Sequence, residues 1–319
     1  MTAGTAEGLD TYRVELTGYC YRMLGSGFEA EDAVQETLLR AWRASYDPAR
    51  GSERAWLYAI ATNVCVDMLR SAQRRATAMD LGPATGPGAD LGTPLPQGVW
   101  VQPVPDHRVL DGDPAEAAVQ RESIRLAFVA ALQHLPPRQR AVLILRDVLG
   151  WRAAEVARLF DTTVTSVHSS LQRARSTLAA RRPAPAEPIG PEHRDLLTRY
   201  VDAFERYDVA ALVGLLTEDA TMSMPPFAWW SRGRDDIAAA LANADGTCRD
   251  ARLLPAAASG SPAFGQYRWT GTTYEPFALV VLEVRRAGIT SVTTHLDLAH
   301  TFPWYGLPAG GDDFPPPAP

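Results

Sequence analysis

Four groups of side chains in this chain have the types and spacing to do chemistry. In the first, Thr165, Ser169 and Gln172 recur at helical spacing beside Ser166, His168 and Arg173. Small hydroxyls and an amide fit base edges in a major groove, while Arg173, Arg175, Arg181 and Arg182 suit phosphates. In the second, Asp32, Gln35 and Glu36 stand at i, i+3 and i+4, an exposed acidic face for docking a protein or a solvated face with a Glu36–Arg40 pair. The third is a strip of Trp56, Asn63, Asp67 and Arg70, followed by Arg74 and Arg75. Its flat ring, amide and guanidinium groups suit unstacked bases and their backbone, although Trp56 reads equally well as core. The fourth combines Met222, Trp229, Trp230 and Trp269 with His295 and Asp297. It is either the wall of an apolar pocket holding an acid–base pair or ordinary core.

These groups need elements to carry them, and residues 9–75 read as helices. Leu16, Tyr19, Cys20 and Met23 share a stripe that ends at Gly25-Ser26-Gly27. A second helix, 29–44, aligns Val34, Leu38 and Trp42; a third, 52–75, aligns Leu57, Ile60, Ala61, Val64 and Met68. Residues 76–117, with 7 Pro and 6 Gly and no period, read as a flexible linker. Helical pattern resumes through 118–182. There Trp151–Phe160, a turn at Asp161-Thr162 and a cap at Thr163 precede a helix with Val167, Leu171, Ala174 and Leu178 on its inner face. Beyond a second linker, 183–191, helices at 192–206 and 208–216 precede strand-like runs at 219–225, 263–270, 276–286 and 289–301.

The net charge of −6 hides a division. Residues 118–182 hold 11 Arg against 4 acids, whereas 76–117 hold 1 against 6 and 190–319 hold 10 against 16. One segment therefore has the charge to hold nucleic acid. No apolar run is long enough for a bilayer, the N-terminus lacks a secretion signal, and three scattered cysteines suit a reducing cytoplasm. No metal or cofactor is expected.

Leu135–Leu149, Glu155-Val156-Ala157 and Leu171–Arg175 resemble region 4 of sigma-70-family factors of the extracytoplasmic-function group. Glu29–Trp42 and Trp56–Asn63 resemble region 2 of the same family. Residues 190–319, with Leu216–Met222 and Gly233–Ile237, resemble the SnoaL-like branch of the NTF2-like fold. The resemblance implies a multidomain chain with two all-α sigma domains, a region 2 helical bundle (9–75) and a region 4 helix-turn-helix (118–182). An acidic linker (76–117) joins them, and an α+β cone-like domain (190–319) with a proline-rich tail follows.

It further implies a non-enzymatic subunit that gives core RNA polymerase its promoter choice. Asp32, Gln35 and Glu36 would meet the clamp helices of the largest subunit, and region 4 would meet the flap. Trp56, Asn63, Asp67, Arg70 and Arg74 would read and open −10 DNA. Thr165, Ser166, His168, Ser169, Gln172, Arg173 and Arg175 would contact −35 DNA. The chain departs from the family at Ala59, Thr162, His168 and Ser170. The C-terminal domain is expected to regulate, with Met222, Trp229, Trp230, Trp269, His295 and Asp297 around a site for a small ligand. Two alternatives stand beside this: a cone-fold enzyme or ligand-binding protein with a DNA-binding front end, and a dimeric helix-turn-helix regulator.

Overall fold

The computed structural model describes residues 6–71, 83–86, 88–96, 98–110, 117–179, 187, 190–242 and 246–310, in two compact units. One takes its residues from 1–78 and 98–184, the other from 79–97 and 185–319.

The first unit is helical. It contains α1 (Ala6–Asp10), α2 (Arg13–Leu24), α3 (Gly27–Arg43), α4 (Glu53–Ser71), α5 (Asp106–Val109), α6 (Ala117–Ser123), α7 (Leu126–Gln133) and α8 (Pro137–Leu143). A π-turn, Ile144–Val148, prolongs α8; α9 (Ala153–Leu159) and α10 (Val164–Ala179) complete the unit. Gly25, at φ 77°, ends α2, and the Ser26 hydroxyl accepts from the Glu29 amide to start α3. The stripe expected on α3 runs off the core. Val34 is buried and Leu38 half-buried, but Trp42 is 66% exposed, because the buried stripe runs through Ala30, Ala33, Val34, Thr37 and Ala41 and successive i+4 steps from Val34 rotate off it.

The helices within 9–71 and those within 117–179 share one continuous apolar core, from Leu9 to Leu178. Two buried arginines cross the seam between them. Arg140 of α8 donates to the Met23 carbonyl at the end of α2, to Gln133 Oε1 (2.5 Å), and to the Gln133 and Leu135 carbonyls at the end of α7 (3.0 and 3.1 Å). Arg22 of α2 donates to Ser123 Oγ (2.9 and 2.8 Å) and Gln120 Oε1 (2.7 Å) of α6. All these acceptors are neutral. Burial pulls both guanidinium pKa values down to about 10, so both stay charged at neutral pH. The partial negative charge at the C-termini of α2 and α7 replaces a carboxylate for Arg140. Beside them Trp151 packs on Tyr58 of α4 at 5.0 Å, with the Arg54 guanidinium over both rings.

The segment expected to be a flexible linker is divided between the units. Within it Trp100, Val101, Gln102, Val104 and Val109 are buried in the first unit. The Gln102 amide donates to the Gly25 carbonyl (2.9 Å), its side chain accepts from Ser26 Oγ (2.7 Å), and Arg108 pairs with Glu31 (2.7 Å). Residues 83–86 and 88–96 instead belong to the second unit, mostly exposed and held by hydrogen bonds. Prolines space the apolar residues of 98–110 irregularly, so no period marks them as buried.

The second unit has α11 (Pro191–Glu205), α12 (Val209–Gly214), β1 (Leu216–Ser223), β2 (Trp230–Arg232), α13 (Arg234–Ala242), β3 (Arg252–Ala258), β4 (Ser261–Trp269), β5 (Tyr274–Arg285) and β6 (Gly288–His295). The sheet order is β2-β1-β6-β5-β4-β3, antiparallel except between β1 and β6. One face packs Met222, Phe264, Val280, Leu282 and Val292 against Leu196 and Tyr200 of α11. The other is closed by a 3-10 segment, Ala299–Tyr305, and Leu307. A Cβ on Gly265 would lie 2.6 Å from Leu307 and 3.1 Å from Phe302. The last strand is shorter than expected, since the chain turns into that segment after His295; β2, β3 and α13 were not anticipated.

Replacing Arg140 with Ala strands the carbonyls at the ends of α2 and α7 in the core. Urea denaturation of Arg140→Ala is expected to show a loss of about 3 kcal/mol from the first unit. A loss below about 1 kcal/mol would contradict this role.

Candidate nucleic-acid interface

Helices α9 and α10 form the helix-turn-helix. The turn carries Asp161 at φ 48°, a left-handed conformation that aspartate tolerates, and the Thr163 hydroxyl accepts from the Ser166 amide (3.1 Å). Val167, Leu171, Ala174 and Leu178 are all buried, and that fixes which face of α10 is presented. Thr165, Ser166, His168, Gln172 and Arg173 are exposed and Ser169 half-buried, so the structure brings the first group together on one outward face. Arg175 differs. Its Nε and terminal nitrogen donate to the Asp147 carboxylate (2.8 and 2.7 Å), tying α10 to the π-turn. That carboxylate holds the guanidinium above its usual pKa and occupies it. Arg181 and Arg182 lie outside the described residues.

On α3, Asp32 and Gln35 are exposed and Glu36 half-buried. Glu36 pairs with Arg40 (2.7 Å), which approaches Asp67 of α4 at 4.0 Å, and Asp67 approaches Arg70 at 3.9 Å. A ladder of exposed charges thus links the second and third groups, with little effect on stability. Leu39 and Trp42 continue the α3 face as exposed apolar residues; of the two, the stripe reading had assigned Trp42 inward. On α4, Asn63, Asp67 and Arg70 are exposed, while Trp56 is half-buried with its ring 5.5 Å from that of Tyr46. The loop before α4 is therefore anchored to the upper end of the strip, with Tyr46 donating to the Gly51 carbonyl (2.7 Å). Arg74 lies outside the described residues.

The fourth group does not converge. Met222 and Trp229 belong to the core beneath the helices. Trp230 pairs with Ser223 and so shares the other face with Thr293 and His295, and Trp269 stacks on Tyr274 at the end of a hairpin (5.0 Å). His295 is fully buried, and neither ring nitrogen has a hydrogen-bond partner among the described residues. Burial pushes its pKa down to about 3 and raises that of Asp297. A cleft of about 240 Å³ lies beside α11, where Arg199 and Arg286 already pair with Asp195 and Glu192 (3.1 Å each). Among the described residues no helix is long and apolar enough to cross a membrane, and no group of three or more His, Cys, Asp or Glu gathers as a metal site.

Family models match three stretches of the chain: Sigma-70 region 2 over residues 9–75, Sigma-70 region 4 over 125–178, and the SnoaL-like domain over 197–300. The ECF RNA polymerase sigma factor SigG of Mycobacterium tuberculosis is 45% identical over 311 residues, spanning 94% of this chain and 82% of that one. SigJ of the same organism is 30% identical over 215 residues, 67% of this chain and 62% of its own length. The crystal structure of the M. tuberculosis SigJ shares the fold, with a TM-score of 0.61 at 22% identity over 96% of this chain and 100% of that chain.

Two outcomes are expected. Asp147→Asn releases Arg175, so affinity for duplex DNA should rise a few-fold and the log–log salt slope steepen by about 1; an unchanged slope would show that Arg175 does not reach phosphate. For His295, folding favours the neutral imidazole. Its contribution is whole above the unfolded pKa of about 6.5 and is lost as pH falls below it. Lowering pH from 7 to 5 should cost the wild type about 2 kcal/mol more than His295→Leu in parallel denaturation curves; parallel pH profiles would contradict this.

Proposed function

The chain belongs to the extracytoplasmic-function RNA polymerase sigma factors, and from that premise we propose how its surfaces divide the work. It binds core RNA polymerase and directs promoter-specific initiation. The α3 face, Asp32, Gln35 and Glu36 extended by Leu39 and Trp42, meets the clamp helices of the largest subunit, and region 4 docks on the flap. Trp56, Asn63, Asp67 and Arg70 read and open −10 DNA. Thr165, Ser166, His168, Ser169, Gln172 and Arg173 read −35 DNA, while Arg175 reaches phosphate only when it leaves Asp147. The observation that carries this assignment is the outward polar face of α10 above a buried Val167-Leu171-Ala174-Leu178 stripe.

The C-terminal domain regulates rather than catalyses. The separation of His295 from Met222 and Trp229 onto opposite faces of the sheet supports that reading. So does its hold on the linker. The Thr85 amide donates to the Trp230 carbonyl (2.8 Å), Thr85 Oγ1 accepts from the Trp230 amide (3.2 Å), and the Leu95 amide donates to the Pro226 carbonyl (2.8 Å). β2 is an edge strand, and the linker covers its open hydrogen-bonding edge. Three such bonds, each worth about 1 kcal/mol net, make a hold that a binding partner can displace.

In-vitro transcription with purified core polymerase tests the reading, using full-length protein, residues 1–189 and Trp42→Ala. Full-length protein and residues 1–189 are expected to direct initiation, with different efficiencies. Trp42→Ala should weaken core association about tenfold, as expected for an exposed aromatic anchor. If neither form of the wild-type chain associates with core, the reading fails.

A further inference from the structure

We infer that Val164 reads the methyl group of a thymine in the −35 element, a specificity-determining contact that the polar side chains of α10 do not supply. This rests on the sigma-factor reading above and deepens it.

Among the described residues five large apolar side chains are exposed: Leu39 and Trp42 on α3, Leu91, Val119 on α6, and Val164 at the start of α10. A lone exposed valine is ordinary on most surfaces. This one departs from the pattern of its own helix. By spacing it continues the Val167-Leu171-Ala174-Leu178 stripe, three residues before Val167. Those four are 1, 5, 0 and 6% exposed, whereas Val164 is 41% exposed and lies outside the core that takes them. At 3.6 residues per turn it stands on the border between that stripe and the outward ridge of His168 and Gln172. An exposed β-branched side chain also does little for the helix, because it loses rotamer freedom there without gaining burial.

Its place on α10 gives it reach. The Thr163 hydroxyl caps the helix by accepting from the Ser166 amide, and Val164 is the first residue of α10. Cα–Cβ bonds tilt toward the N-terminus of a helix, so first-turn side chains project past its end. Helix-turn-helix proteins bring that end to the base edges of the major groove. The outward side chains that follow, from Thr165 to Arg173, all carry hydrogen-bonding groups. Such groups tell adenine from guanine and cytosine, but a thymine methyl offers them nothing. Thymine alone of the four bases presents a methyl in the major groove, and apolar contact is how it is recognised. The two Val164 methyls are the apolar surface that this end of α10 holds for it. Covering one methyl group contributes about fourfold in affinity.

The test pairs one methyl on the DNA with the Val164 side chain. Core polymerase carrying full-length wild type, Val164→Ala or Thr165→Ser is titrated with a promoter selected from genomic DNA. Each thymine of its −35 element, on either strand, is replaced in turn by deoxyuridine, which lacks only the methyl. Val164 is exposed and alanine is the better helix former, so Val164→Ala keeps α10 intact. With wild type, one replacement is expected to lower affinity about fourfold. With Val164→Ala, affinity for the thymine promoter is already lower by a similar factor, and the same replacement has no further effect. Thr165→Ser, which removes the neighbouring methyl, keeps the wild-type sensitivity. Equal losses on methyl removal in wild type and Val164→Ala overturn the inference. So does an element without a methyl-sensitive thymine, or one whose sensitivity disappears in Thr165→Ser. All three results leave the sigma-factor reading standing. Wild-type polymerase that binds equally well when the whole −35 element is scrambled overturns the −35 reading as well.

Discussion

Burying a guanidinium without a carboxylate is costly, and this molecule does it twice in one seam. Arg140 is tolerable there because it faces the C-terminal carbonyls of two helices, whose aligned dipoles supply the missing negative charge. Arg22 is tolerable because Gln120 and Ser123 are brought to it from the other region. Neither arrangement survives a shift of α2 relative to α7 and α8 by the length of a hydrogen bond. The geometry of regions 2 and 4 in this state follows from that requirement. The Tyr58–Trp151 contact, and with it the placement of the α4 strip, depends on the same seam.

An interface solvated by dipoles rather than closed by ion pairs is specific without being irreversible. Opening it returns both cations to water, so much of what is lost on separation is recovered in hydration. The linker shows a similar gradation. Its first part lies exposed on β2 and the neighbouring turn, whereas its second part buries Trp100, Val101, Val104 and Val109.

Much of this was legible in the sequence where periodicity and capping act locally. The inner stripe of α10 and the Thr163 cap were read as they stand, since each depends on residues within one or two turns. Other features depend on partners far along the chain. Trp42 belongs to the α3 stripe by spacing, but nothing local says that the core takes Thr37 and Ala41 instead. Arg22 and Arg140 look like any surface cations until helix termini are placed beside them. Arg175 has the position of a phosphate contact, and only the fold reveals Asp147 opposite it. In the C-terminal domain, residues with pocket chemistry fell on both faces of one sheet, because their strand registers were not readable from composition.

The central claim is that one chain reads two separated DNA elements, and does so only as part of polymerase. Hydroxyl-radical footprinting of a promoter selected from genomic DNA, with core polymerase, factor or both, tests it directly. The account requires two protected patches centred about 25 base pairs apart, seen only with both components present, each lost when the corresponding region is mutated. A single palindromic footprint made by the factor without core would contradict it.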